Sequence, residues 1–275
     1  MPTMIERIHE LVAAVDQLTA AGVAPSKEYT QTLERWEAFG SMEPRAAILE
    51  QLAAAVAKGE SGPWPLDILT MLAFGSSPAP RVEAEVRQHV AASVLPVVAV
   101  GARAVGERAH EKLRQRFNGA AEQLVAALDL TDPDVAAESI LDAPEATRAA
   151  WGSVPTLAAE LEKTLALMQV AARLSGVRAS AFDLAVTVDP DAPAELRREV
   201  WAAWQTEPTS RAGRWKALAG LAHVHLHARA LAGLTAYRMP APIETRYRAG
   251  TIGLQPYEHD PELGEPEPGT FGLPR

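Results

Sequence analysis

Three histidines at alternate positions, His223, His225 and His227 in the run HVHLH, have the type and spacing in this sequence that most directly suggest chemistry. On a strand, that alternation sets all three imidazoles on one face, the arrangement a three-histidine metal site uses. The flanking WKALAGLA and ARALAGL read as helix instead. On a helix only His223 and His227 share a face, and His225 points nearly opposite. That face also carries Lys216 and Arg238, so carboxylate ligands would have to come from elsewhere in the chain. Ordinary packing or surface roles are the commoner fate of such histidines. The chemistry they best suit in the helical reading is contact with an anionic partner, and no metal or cofactor is expected.

Two Glu-x-x-His pairs, Glu6 with His9 and Glu107 with His110, match the spacing of di-iron bundles. Glu6 falls opposite the apolar stripe of its own helix, where a buried ligand set does not belong. Asp129, Asp132 and Asp134 sit beside Pro133, where helix capping accounts for them. The sequence contains no Gly-rich phosphate loop, no Gly-x-Ser-x-Gly elbow and no His-Glu-x-x-His helix. With no cysteine, thiolate ligands and thiol nucleophiles are excluded. The balance is against an enzyme.

Charge is distributed unevenly. The chain carries −9 overall, yet residues 209–250 hold seven Arg or Lys against Glu244 alone, a net +6 that leaves −15 for the rest. The candidate partner or anion-binding set is Arg211, Arg214, Lys216, His223, His227, Arg238, Arg246, Tyr247 and Arg248, with Tyr237 and Tyr247 as stacking faces. The last 25 residues turn acidic again, through Glu258, Asp260, Glu262, Glu265 and Glu267.

The elements that must carry these residues are helical in pattern almost throughout. Ile5, Ile8, Val12 and Val15 form a first stripe, and Tyr29, Leu33 and Trp36 a second beyond Gly22 and Pro25. A third helix is expected after Ser41, with Ile48, Leu49, Leu52 and Val56 inward, and a short one over Leu66–Phe74. From Arg81 to Leu130 the pattern is one long helical stretch with a kink or boundary expected at Pro96. Its inner face is Ala102, Val105, Ala109, Leu113, Phe117, Ala120, Leu124 and Leu128. Asp132-Pro133 and Asp142-Ala-Pro-Glu145 are helix-start signals. Pro155 is expected to open a helix with Leu157, Leu161, Leu165, Met168 and Ala172 inward, closing at Gly176. This helix and the long one before it form a hairpin.

Phe182–Pro190 alternates like a strand, but without a visible partner it reads as a loop or helix end. A helix through Leu196, Val200, Trp201 and Trp204 follows, and a final helix is expected over 211–238. Seven of the 21 prolines fall in the last 37 residues, an extended arm whose apolar anchors are Ile252, Leu254, Tyr257, Leu263, Phe271 and Leu273.

The fold expected is all-α: a multi-helix bundle around a central long helical hairpin, with an extended Pro/Gly-rich C-terminal arm. It divides into an N-terminal helical subdomain (1–80), a main helical domain (81–238) and the arm (239–275). Val90–Ala102, the longest apolar run, is short for a bilayer span, and Met1–Gly22 lacks the layout of a signal peptide. A cytoplasmic protein, or one inside an assembled particle, is expected, without membrane contact. The function expected is a non-enzymatic structural or assembly protein, a component of a virion or similar particle. Its neighbours would be protein subunits of an oligomer or hetero-assembly, reached through the arm and the basic last helix. The alternatives are a nucleic-acid-associated protein using residues 209–250 and a helical enzyme or metal protein centred on His223 and His227.

Overall fold

A computed structural model describes residues 2–41, 80–206, 209–250 and 253–262. The helices expected from Ser41 to Phe74 lie outside the described residues, as do Ile252, Leu263, Phe271 and Leu273 of the arm. The chain is 65% helical and 8% strand, the predominantly α fold read from the sequence. It forms two compact units, Met1–His110 with Val170–Arg178, and Glu111–Gln169 with Ala179–Arg275.

In the first unit, α1 (Met4–Ala20) opens with a capping box. The Thr3 amide donates to the Glu6 carboxylate at 2.6 Å and the Glu6 amide to the Thr3 hydroxyl at 3.2 Å. Glu6 is thus committed to a helix end, and hydrogen bonds from the Thr3 amide and then the Thr3 hydroxyl hold its pKa below the usual carboxylate value. The helix stops at Gly22 (φ 90°), where Gly22 N bonds Thr19 O and Val23 N bonds Leu18 O. This two-bond closure needs the left-handed conformation that glycine adopts freely. Ile8, Val15 and Leu18 face inward. The second helix, α2 (Lys27–Ser41), is capped by Ser26 and buries Tyr29.

Helix α3 (Pro80–Leu130) continues through Pro96, where a boundary had been one expectation. An internal proline forfeits one helix hydrogen bond and crowds the preceding turn. Ala91, Val98 and Ala102, fully buried on either side, offset that cost. A Cβ at Gly101 would lie 2.6 Å from the Tyr29 ring, so the bare backbone is what admits that side chain. By length and composition α3 also meets the test for a membrane span: an 18-residue window in Arg87–Leu130 has mean hydropathy 1.5. Only 28% of that window is buried inside the protein.

Two residues past Ile140, the last of α4 (Ala137–Ile140), the Asp142-Ala-Pro-Glu145 signal starts the long α5 (Glu145–Leu174). The start expected at Pro155 is therefore ten residues late. Pro155 sits inside the helix between buried Val154 and Ala158. Helix α5 closes as expected at Gly176 (φ 78°), with Gly176 N on Arg173 O and Val177 N on Ala172 O. Helices α3 and α5 run antiparallel as the central hairpin. In the first unit Gly106 lies against α5, where a Cβ would meet Ala171 O at 2.7 Å. In the second unit Arg116 pairs with Glu160, and Leu113, Phe117 and Leu124 are buried, as are Leu161, Leu165 and Met168.

The second unit departs most from expectation. Phe182–Pro190 comprises the end of a short α6 (Ala181–Ala185), capped by Ser180 and Asp183, followed by a real strand, β1 (Val186–Val188). After α7 (Ala194–Gln205), the helix expected over 211–238 is only α8 (Arg214–Ala219). Beyond it come β2 (Val224–Leu226), a 3-10 turn (Leu231–Gly233) and irregular chain. Strands β1 and β2 pair antiparallel, Val186 with Leu226, Thr187 with His225 and Val188 with Val224. Val224 and Leu226 are buried and His225 is exposed, so a period of two overrides the Ala-rich helical flanks.

An aromatic cluster backs this small sheet. Trp215 is fully buried, edge-on to Phe117 at 5.8 Å and to Trp204 at 6.0 Å. Phe182 meets Trp204 at 5.3 Å and Tyr237 at 4.5 Å. The Asn118 amide of α3 clamps the chain just past β2, donating to Ala228 O (3.2 Å) and accepting from Ala228 N (2.7 Å). Within the arm, expected to be extended, β3 (Glu244–Gly250) and β4 (Gly253–His259) form a hairpin with Gly250 paired to Gly253.

Candidate functional site

At the end of β1, the Asp189 amide donates to His223 O (3.0 Å), and Ala192 N folds back to Asp189 O (3.1 Å). His223 enters β2 with φ 60°, a left-handed backbone that histidine tolerates better than most residues. These two backbone features bring Asp189, Asp191 and His223 together, with ligand atoms within 4.8 Å of one another. His223 Nδ1 lies 3.2 Å from Asp189 Oδ2, and His225 Nε2 lies 3.3 Å from Asp189 Oδ1.

The histidine pairing therefore differs from the helical expectation. His223 joins His225 around one carboxylate, while His227 is exposed beyond β2. The His227 carbonyl accepts from the Thr187 hydroxyl at 3.2 Å. Asp189 and Asp191 were missed because their partner lies 32 or more residues downstream. The one signal in the sequence was the alternation of VTV directly ahead of DPD. A cleft of about 210 Å³ adjoins Asp189 and is lined by Thr187, Arg197, Arg229, Tyr237 and Arg238.

The cations expected to form one binding surface are dispersed and largely engaged. Arg211 stacks its guanidinium 3.6 Å over Trp151, and its amide donates to Asp134 at 2.9 Å. Arg214 lies 4.6 Å over Trp204 and pairs with Glu162 at 3.2 Å. Lys216 bridges Asp132 (2.6 Å) and Asp134 (2.7 Å). Hydrogen bonds to those two carboxylates raise its pKa, and its ammonium lowers that of Asp132. At Asp134 burial pulls upward, but Lys216, the Arg211 amide and Ser210 together hold the carboxyl below its ordinary value. Arg246 pairs with Glu244, Arg238 is exposed and Arg248 lies on β3.

Asp260 and Glu262 fold back onto α7. Asp260 takes both terminal nitrogens of Arg198, at 2.7 and 2.5 Å, and Arg198 Nε donates to Ala241 O at 3.0 Å. Glu262 pairs with Arg197 at 3.4 Å. The Arg198 hydrogen bonds hold the Asp260 carboxyl down at about 2. Both ends of the hairpin are thereby tied to α7. Between them Tyr247 is 64% and Leu254 72% exposed, with Met239 and Ile243 also exposed on the approach. Tyr257 is half-buried near His259.

Comparison of this chain with protein families, with curated proteins and with solved structures finds no match.

Proposed function

We propose that this chain is a structural subunit that assembles with a second copy of itself through its C-terminal hairpin, as part of a multi-subunit particle. A virion is the kind of particle the sequence suggests. The observation that carries this reading is the hairpin's construction. Its base is fastened by the bidentate Arg198–Asp260 pair, while Tyr247 and Leu254 stand exposed along its length. A two-stranded ribbon is marginal on its own, and among the described residues each strand has one unpaired edge. Packing of that ribbon against its copy about a two-fold axis would cover Tyr247 and Leu254, which the strand register sets on one face, in both copies.

The test is solution mass by light scattering of the full chain, of the Tyr247→Ser/Leu254→Ser double variant and of a chain ending at Arg238. An oligomer that falls to monomer in both altered chains is the expected result. A full chain that is monomeric at all concentrations, or altered chains with unchanged mass, would overturn the proposal. A nucleic-acid surface has less support, because Arg211, Arg214 and Lys216 already have protein partners.

A further inference from the structure

We infer that Asp189, Asp191 and His223 form a binding site for a divalent transition-metal ion of the zinc class. Two carboxylates and an imidazole make a mixed oxygen and nitrogen donor set, which suits Zn²⁺ and its neighbours better than Ca²⁺ or Mg²⁺. The 3.2 Å between His223 Nδ1 and Asp189 Oδ2 fits a hydrogen bond. It is also close to the edge, roughly 3.3 Å, of a tetrahedron with metal bonds of about 2.0 Å. The third donor, on Asp191, lies within 4.8 Å of both, so a rotamer adjustment of that exposed side chain completes a three-ligand face.

The other carboxylate oxygen, Asp189 Oδ1, faces His225 Nε2 at 3.3 Å. The backbone fixes the set, since the Asp189 amide is bonded to the His223 carbonyl and the β1–β2 register holds both chains. Asp189 also lines the cleft that contains Arg197, Arg229 and Arg238. A fourth ligand arriving there would meet cationic walls, so an anionic one, a carboxylate or phosphate, is favoured.

The experiment is Zn²⁺ titration of untagged full-length protein by calorimetry, with the thermal midpoint followed in the same samples. Asp191→Asn and His223→Asn are the site variants, and His227→Ala is the control. Asparagine tolerates the left-handed backbone at residue 223, so that variant keeps the local chain path. The expected result is one Zn²⁺ per chain and a midpoint raised by zinc, with affinity reduced tenfold or more in both site variants and unchanged in the control. No saturable binding, or equal binding in the wild type and both site variants, would overturn the inference. A control that weakens as much as the site variants would also overturn it, since it would assign the metal to the surface histidines generally. If either site variant fails to fold, cobalt absorption of the wild-type protein decides. A visible d–d band of a four-coordinate site supports the inference, and a six-coordinate hexaaqua-like spectrum overturns it.

Discussion

The two small sheets of this protein are built on opposite terms. Strands β1 and β2 have three residues each and come from chain positions some 38 residues apart, with their inner side chains against an aromatic cluster. Strands β3 and β4 have seven residues each, are neighbours in sequence, and stand largely exposed. The first is stable because packing supplies what three ladder residues cannot, and in return it brings Asp189 and His223 into contact. The second forms locally but has little beneath it, so it depends on its ties to α7 and presents surface instead of a pocket. Long-range, buried pairing makes a site, whereas short-range, exposed pairing makes an arm.

Removing the packing under the first sheet should have the largest effect. Trp215→Ala deletes a fully buried indole and is expected to destabilise the protein by about 3–5 kcal/mol in urea unfolding. Hydrogen exchange should then show β1 and β2 losing protection relative to the wild type, with β3 and β4 unchanged. If both sheets lose protection equally, the contrast between them fails.

A narrower cut is Asn118→Ala, which strips both hydrogen bonds from the backbone of buried Ala228. Leaving buried peptide groups unpaired costs about 1–3 kcal/mol. The loss should again appear at β2 and leave the arm untouched.

The arm should respond to pH instead. Its Asp260 carboxyl is held at about 2 in the folded protein, below the unfolded value near ~3.9. A folded value below the unfolded one means the anchor contributes stability above about pH 4 and loses it as pH falls towards 2. The Arg198 Nε–H resonance should therefore shift and exchange faster over that interval, and Asp260→Asn should show the released state already at neutral pH. A resonance indifferent to pH between 4 and 2 would remove the anchor from the account.

The smallest change in stability is expected from Leu254→Ser, at an exposed position where substitutions stay within about 0.5 kcal/mol. Its effect should be confined to solution mass.

Much of this could be read in advance where physical causes are local. The Gly22 and Gly176 terminations and the apolar rows of α3 and α5 follow from hydrogen bonds and side-chain spacing within a few residues. Pro96 and Pro155 show the limit of such reading, since each weakens a helix locally and is outweighed by burial on both sides. The candidate site was half legible. His223 was singled out, but it was matched with His227 through a helix that does not form.

What the sequence determined by itself is the predominance of helix and the central hairpin. Helical hydrogen bonds close over four residues and need no distant partner. What only the tertiary structure decided is the pairing of Val186–Val188 with Val224–Leu226, and with it the meeting of Asp189 and His223. A three-residue strand is stable only once another strand and a packed face are in place. The sequence on either side of β2 favours helix, and it is the contact with β1 and the aromatic core beneath it that reverses that preference.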